Sequence, residues 1–252
     1  MIKFIQFIQV NLHHAKGASA VLSRRFTKNK IDVGFIQEPW VNKGRIRGIS
    51  AEVGQLLYDD SSPNPRAAIL VNKNTNFIPV TEFITRDIVA IKMEVPTARG
   101  KTEVYVASAY FPGDVEDAPP PEVTMFVSHC KKMNKQFILG CDANAHHTLW
   151  GSTNINKRGE NLLDYITSSN IDVCNKGNTP TFVTAARHEV LDLTLCSELI
   201  SEKILNWKVS DEVSLSDHKQ IEFEYNAGDI IVESYRDARK TNWDLYKTYL
   251  NN

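Results

Sequence analysis

Apolar residues recur along the chain at two spacings, one typical of strands and the other of helices. The clearest alternation lies in residues 88–95, where four apolar side chains share one face and Lys92 and Glu94 share the other. Similar apolar runs predict strands at residues 2–10, 31–36, 67–71, 104–110, 137–139, 171–174, 190–196 and 221–225. Strands with one buried face are typical of antiparallel sheets, so we expect mainly antiparallel pairing.

Three helices are predicted between these strands, around residues 18–26, 123–133 and 162–166, the second of them after three consecutive prolines. This order of strands and helices predicts an α/β domain in which two sheets pack together and helices cover their outer faces. The composition changes after about residue 225. We therefore expect one domain over residues 1–226 and a linker, or the start of another segment, over residues 227–252.

The overall charge gives no sign of a general affinity for nucleic acid, since 29 basic residues face 30 acidic ones. Any contact with DNA would need a local basic patch, and a bound cation to offset acidic groups. The four cysteines match no zinc spacing and are predicted to be buried, reduced thiols of an intracellular protein. No apolar stretch reaches the roughly 20 residues of a membrane span, and no secretory signal is evident.

Acidic and amide side chains stand at the ends of predicted strands. Glu38 follows residues 31–36, and its carboxylate oxygens are ligands that Mg²⁺ prefers. Asp142 and Asn144 lie two residues apart after residues 137–139, so an extended chain aims both the same way, where they could position water and a phosphate. Taken singly, Glu38 also fits a solvated strand end, and Asn11 and the Asp142 segment also fit turns.

Asp192 stands inside an apolar strand, where a carboxylate is costly unless it is paired. His218, in the tripeptide Ser216-Asp217-His218, is a suitable partner, because an acid that orients a histidine fixes its tautomer and makes it a base. Tyr110 could donate its hydroxyl to a phosphate oxygen, although alone it also fits a packing aromatic. Together these residues predict acids for a divalent metal, a His–Asp pair that acts on water, and donors for a phosphate.

This ordered set resembles the exonuclease–endonuclease–phosphatase superfamily, which includes apurinic-site repair endonucleases, deoxyribonuclease I, sphingomyelinases and inositol phosphatases. Within it, residues 1 to about 226 look most like the N-terminal endonuclease domain of a non-LTR (LINE-type) retrotransposon. Three segments carry this resemblance: residues 140–146 (GCDANAH, where repair enzymes usually have GDFN), residues 177–182 (GNTPTF) and residues 239–243 (RKTNW). The last of these resembles the connector to a reverse transcriptase.

The resemblance implies a four-layer α/β/β/α sandwich of the deoxyribonuclease I type, with two mainly antiparallel sheets flanked by helices. It implies an Mg²⁺-dependent enzyme, with Mn²⁺ as a substitute, that nicks one strand of double-stranded DNA and leaves a 3′-hydroxyl to prime reverse transcription. The domain would be a monomer in isolation. It would belong to a longer polyprotein with a reverse transcriptase, acting in the nucleus and not at a membrane. The short segment 184–189 implies a small DNA-probing hairpin, so target preference stays open.

The resemblance also implies roles for the metal-side residues. Glu38 would bind Mg²⁺, with Asn11 and Asp217 close by. Asp142 would hold or deprotonate the attacking water, and Asn144 would fix that water or the phosphate.

The remaining roles concern the phosphate. His218, oriented by Asp192, would contact the phosphate or share the role of base, and Tyr110 would steady the phosphate or the departing oxygen. Contacts to DNA are expected from Lys43, Arg45, Arg47, Lys157, Arg158, Thr181 and Ser216.

Two other functions stay open from the sequence. The same catalytic set would serve an apurinic-site repair endonuclease or a lipid or inositol phosphatase, which activity on intact and abasic DNA would separate. A non-catalytic DNA- or protein-binding module could also keep the fold, but it would have no need of clustered carboxylates. Nicking that EDTA abolishes would exclude such a module.

Overall fold

The computed structural model describes residues 4–97, 100–228 and 243. Its elements in chain order are β1 (Phe4–Asn11), α1 (Lys16–Lys28), β2 (Val33–Gln37), β3 (Val41–Asn42), β4 (Arg45–Ile46), β5 (Gln55–Leu57), β6 (Ala67–Val71), β7 (Phe77–Ile84), β8 (Ile88–Thr97), β9 (Gly100–Tyr110), α2 (Pro121–Lys132), β10 (Gln136–Asp142), α3 (Lys157–Ser168), β11 (Ile171–Val173), β12 (Phe182–Val183), β13 (His188–Glu189), β14 (Asp192–Ser197), β15 (Ile204–Val209) and β16 (Ile221–Asn226). Short 3-10 helices lie at Thr148–Trp150 and Glu198–Lys203.

Two six-stranded sheets form the centre of the fold, with the strand orders β15-β16-β1-β2-β6-β5 and β11-β14-β10-β9-β8-β7. Each sheet contains one parallel pair, β1 with β2 and β9 with β10. The other neighbours pair antiparallel. The expectation of two mainly antiparallel sheets is therefore confirmed, and the two parallel pairs occupy corresponding places in the two sheets.

Alternation along β1 shows how the layers are built. Ile5 and Phe7 pack between the two sheets, whereas Ile8 and Val10 pack against α1 on the outer face of the first sheet. Helices α2 and α3 cover the outer face of the second sheet through a separate cluster that includes Phe126. The result is the predicted four-layer α/β/β/α sandwich.

Polar side chains also cross the space between the sheets, close to one end of the parallel pairs. Gln9 is fully buried, and its Nε2 donates to the carbonyls of Cys141 and Leu193, both at 3.2 Å. Gln37, also fully buried, donates to the hydroxyl of Ser108 at 2.9 Å. Because buried amides are costly when unpaired, these bonds favour one alignment of the two sheets.

A glycine lets the sheets approach at this level. A Cβ added at Gly140 would lie 2.3 Å from a ring carbon of Phe35 and 2.8 Å from Oε1 of Gln9. Any side chain at residue 140 would therefore push the sheets apart just below the ends of β9 and β10.

Most other expectations from the pattern are confirmed, including the three helices and the buried, free cysteines. The segment 184–189 does form a small hairpin, between the two-residue strands β12 and β13. Strands β3, β4, β5, β7 and β15 were not expected from the pattern of apolar residues. Within the described residues, no helix is long and apolar enough to cross a membrane. The expected linker lies outside the described residues, apart from 227, 228 and 243, so it stays a prediction.

Candidate active site

The candidate residues meet at the carboxyl ends of the two parallel strand pairs. Asn11 ends β1 beside Gln37 of β2, and Glu38 follows directly. In the second sheet, Tyr110 ends β9 beside Asp142 of β10. Since parallel strands end at the same edge, and the two sheets stack with these edges together, four separate parts of the chain converge on one site.

Asn11 connects the acids of the two sheets. Its Nδ2 donates to Glu38 Oε2 at 3.0 Å and to Asp142 Oδ2 at 2.8 Å. The amide oxygen accepts from the backbone N–H of His13 at 2.8 Å, which fixes the orientation of the amide. Asn11 is fully buried and Asp142 is 2% exposed. One amide therefore sets the relative position of the two carboxylates.

A buried histidine–aspartate pair lies beside Asp142. Nδ1 of His218 is 2.8 Å from Asp192 Oδ2, and Nε2 is 4.0 Å from Asp142 Oδ2. Asp192 faces Asp142 directly across the antiparallel pairing of β14 with β10. Thr181 Oγ1 accepts from the backbone N–H of Asp192 at 3.0 Å and so fixes this strand end. The predicted partnership of His218 with Asp192 is present in the structure.

Burial and neighbouring charge set the protonation of this group. Burial by itself disfavours the imidazolium of His218, but Asp192 and Asp142 outweigh it and raise the pKa of His218 to about 9. Burial also raises the pKa of Asp142, while the charge of His218 and the hydrogen bond from Asn11 oppose that rise. At neutral pH His218 is therefore a cation that can donate from Nε2.

Tyr110 contacts the metal side of the site. Burial raises the pKa of Tyr110 well above its usual value, and the carboxylates of Glu38 and Asp142 add to this effect. The guanidinium of Arg66 lies 4.8 Å from the centroid of the Tyr110 ring. Tyr110 consequently stays protonated at neutral pH and is available as a hydrogen-bond donor.

Two histidines that the sequence analysis did not single out lie at the rim. Nδ1 of His13 is 3.1 Å from Asp217 Oδ2, and Nε2 of His14 is 3.4 Å from Glu38 Oε1. Ser216 donates to the carbonyl of Asn11 at 2.8 Å, which brings the Asp217 loop against the end of β1. The sequence did contain a signal for these contacts, because His13 and His14 follow the candidate residue Asn11 almost directly.

Asn144 contacts the catalytic candidate Asp142 through its backbone N–H. Its N–H donates to Asp142 Oδ1 at 3.1 Å, and its side-chain amide donates to the carbonyl of Phe111 at 3.1 Å. Asn144 therefore orients the Asp142 carboxylate. A direct contact of its amide with water or phosphate stays a prediction.

The expected DNA contacts divide into two groups. Lys43, Arg45, Arg47 and Lys157 are exposed and stay candidates. Arg158 and Thr181 are corrected, because both are buried. Arg158 donates to the carbonyls of Ala143, Asn144 and Val115, so it supports the Asp142 loop from inside. Ser216 is half-buried, and its hydroxyl already serves Asn11 and the backbone N–H of His218.

The donor atoms suit a hard divalent cation. Asp142, Asp192 and His218 each offer an atom within 4.8 Å of the others, and Asp192 Oδ1 is buried with no hydrogen-bond partner among the described residues. Glu38 and Asp217 add half-buried carboxylates nearby. An imidazolium has no free lone pair, so at neutral pH the Glu38 side is the better place for Mg²⁺.

The chain is similar in sequence to known proteins. Residues 104–222 match the family described as Endonuclease-reverse transcriptase. A probable RNA-directed DNA polymerase from transposon X-element of Drosophila melanogaster is 23% identical over 234 residues, which are 88% of this chain. The chain spans only 24% of the length of that curated relative.

Solved structures give the same picture. The endonuclease domain of TRAS1, a telomere-specific non-LTR retrotransposon, superposes with a TM-score of 0.74 at 26% identity, covering 89% of this chain and 99% of that one. An AP endonuclease from Leishmania major superposes with a TM-score of 0.64 at 12% identity, covering 89% of this chain and 88% of that one. The second likeness, at its low identity, concerns the fold alone.

Proposed function

Since this chain belongs to the exonuclease–endonuclease–phosphatase superfamily and is related to the endonuclease domains of non-LTR retrotransposons, we propose that it nicks one strand of double-stranded DNA with the help of a divalent metal. The observation that carries the proposal is the Asn11 amide, which holds Glu38 from one sheet and Asp142 from the other. The buried His218–Asp192 pair adjoins that bridge. Clustered acids beside a cationic histidine fit a reaction at an anionic phosphodiester.

Hydrolysis of a phosphodiester makes three demands on the site. The phosphate charge must be offset, water must be aligned opposite the leaving oxygen, and charge on that oxygen must be supported. Mg²⁺ held by Glu38, with Asn11 and Asp217 close by, would supply Lewis-acid polarisation of a phosphoryl oxygen. Mn²⁺ has similar oxygen preferences and could replace it.

The residues of the chain divide the remaining work. Asp142, whose pKa is raised, takes a proton from the attacking water as its oxygen bonds to phosphorus. His218 is already protonated and donates to a phosphate oxygen from Nε2, while Asp192 holds the ring by Nδ1. Tyr110 donates toward the departing 3′-oxygen, which leaves with the bonding electrons and gains a proton from solvent. The products are a 3′-hydroxyl and a 5′-phosphate.

The wider role follows from the relatives. The X-element relative is a probable RNA-directed DNA polymerase, and this chain spans 24% of its length, so we propose that the chain is the endonuclease part of a longer polyprotein. In that setting residues 1–226 nick chromosomal DNA in the nucleus, residues 227–252 lead toward a reverse transcriptase, and the 3′-hydroxyl primes synthesis. The exposed Lys43, Arg45, Arg47 and Lys157 would hold phosphates without reading sequence.

The test is relaxation of supercoiled plasmid in Mg²⁺, with and without EDTA, followed by mapping of the break ends. We expect nicking that EDTA abolishes, and a loss of at least about 100-fold in Asp142→Asn and in His218→Ala. Glu52→Gln, which removes an exposed carboxylate, is the matched control and should nick at the parental rate. Parental rates in both site variants would contradict the proposal. A duplex with one abasic site forms a further arm, and cleavage confined to it would favour a repair endonuclease.

A further inference from the structure

An ion pair joins the two sheets at the same edge as the site, although neither partner has a place in the chemistry above. Arg66 Nε lies 2.6 Å from Asp87 Oδ1, and Arg66 Nη2 lies 2.6 Å from Asp87 Oδ2. Arg66 directly precedes β6 of the first sheet, and Asp87 directly precedes β8 of the second. Their side chains are 16% and 18% exposed. This two-pronged, half-buried geometry is the strong form of such a pair.

Each partner is also bonded through its backbone to one residue of the site. The N–H of Glu38 donates to the carbonyl of Arg66 at 2.9 Å. The N–H of Tyr110 donates to the carbonyl of Asp87 at 2.9 Å. The ion pair therefore stands one hydrogen bond away from Glu38 on one sheet and from Tyr110 on the other.

Side-chain contacts close the connection. The Arg66 guanidinium stacks over the Tyr110 ring, with 4.8 Å from its central carbon to the ring centroid, and the Glu38 carboxylate lies close enough to the Tyr110 phenol for its charge to raise the pKa of that group. These four residues form a closed ring of interactions that crosses from sheet to sheet twice. A lysine could keep the charge at residue 66 but neither the planar fork nor the stacking.

Glu38 needs such support, because its backbone is in an uncommon conformation. Its φ of 44° lies in the left-handed region, which is unfavourable for a residue with a Cβ. The hydrogen bonds from Glu38 N–H to Arg66 and from His14 N–H to the Glu38 carbonyl hold it there. A shift of Arg66 would move the Glu38 carboxylate and the Tyr110 phenol relative to each other.

We propose that the Arg66–Asp87 pair is the positioning pair of the site, which keeps the Glu38 carboxylate and the Tyr110 hydroxyl in register across the two sheets. The inference rests on the proposed function, since it assigns these two groups to metal and phosphate. Neither Arg66 nor Asp87 touches the reacting atoms. Their effect acts through Glu38 and Tyr110.

The experiment compares Arg66→Lys, Asp87→Asn and the double variant with the parent, measuring kcat and KM for plasmid nicking and Mn²⁺ affinity by electron paramagnetic resonance. We expect kcat to fall about 10- to 100-fold in each single variant, the effect of a misplacement of about 1 Å, with KM little changed. The double variant should be no worse than the poorer single one, because the two residues act as a unit. Mn²⁺ should bind several-fold more weakly. These values of kcat can be measured only if the parent protein nicks plasmid DNA.

The control is Glu103→Gln, which removes the ion pairs of Glu103 with Lys92 and Lys135, away from the site. It should lower the unfolding temperature without lowering kcat. The proposal is overturned if the Arg66 and Asp87 variants lose no more kcat than this control, or if they raise KM alone, which would make Arg66 a direct DNA contact. Failure of the parent to nick would count against the proposed function only. In that case the Mn²⁺ affinity would test the positioning role of the Arg66–Asp87 pair. Weaker Mn²⁺ binding in the single variants would support that role, and unchanged binding in both would overturn it.

Discussion

Asp192→Asn tests the electrostatic account of the site, because it removes one charge and keeps the shape of the side chain. In the parent, Asp192 Oδ2 lies 2.8 Å from Nδ1 of His218, and both residues are buried. The amide can still accept from the imidazole, but it no longer offsets the positive charge. We expect the pKa of His218 to fall well below its parental value of about 9, since burial then acts with less opposition.

The size of the effect follows from the pKa of His218. Its rise from 6.5 to about 9 corresponds to on the order of 3 kcal/mol, since one pH unit is worth about 1.4 kcal/mol. The interaction that raises the pKa of His218 stabilises the folded state as long as the histidine is protonated. This contribution is complete below the unfolded pKa of 6.5 and disappears as the pH rises through about 9. Asp192→Asn should therefore cost on the order of 3 kcal/mol near pH 6 and much less near pH 9.5.

The assay is urea unfolding in EDTA near pH 6 and near pH 9.5, followed by tryptophan fluorescence, with an NMR titration of His218 beside it. Asp164→Asn, on the exposed face of α3, is the matched control and should show no such dependence on pH. In Mg²⁺ the Asp192→Asn protein should nick about 100-fold more slowly than the parent. An equal loss of stability at both pH values, together with an unchanged pKa of His218, would refute the reasoning.

Three further predictions concern other parts of the molecule. Glu103→Gln should cost about 1 kcal/mol at neutral pH. Two lysines lower the pKa of Glu103 from 4.5 to about 2, so the difference in urea midpoint should persist above pH 4.5 and vanish as the pH falls toward 2. Gln9→Leu should lower the free energy of unfolding by about 1–3 kcal/mol in urea titrations, because buried partners between the sheets lose their hydrogen bonds. Combined replacement of Lys43, Arg45 and Arg47 by alanine should raise KM without lowering kcat, and should reduce the salt dependence of binding by about 0.9 per lost phosphate contact. An unchanged salt slope would remove these three residues from the DNA interface.

The main strands could be predicted because their cores are apolar on a regular period. The missed strands lack that signal. β7 is largely exposed and contains Pro79, and β3 and β4 are only two residues long. Such short pairs are held by tertiary context, which no local pattern reports.

The pairing of His218 with Asp192 could be predicted because Asp192 interrupts an apolar strand, where a carboxylate needs a partner. Arg158 was placed wrongly for a physical reason. Beside Lys157 it looked like part of a basic surface, but Asn156 caps α3 by accepting from the N–H of Gly159, and the helix then turns Arg158 inward. Arg66 and Asp87 lie 21 residues apart, and nothing near either one in sequence indicates the other.

The pairing of the first described strand with the last has a consequence for anything attached to this domain. Phe4 lies opposite Asn226 in the antiparallel pairing of β1 with β16. The seven residue steps from Phe4 to Asn11 cover about 23 Å at about 3.3 Å each, so both residues lie at the far end of the sheet from the catalytic edge. A neighbouring domain or an affinity tag joined near residues 4 or 226 would thus be attached at the end of the sheet opposite Glu38 and Asp142, where it would leave the candidate site open to a large ligand.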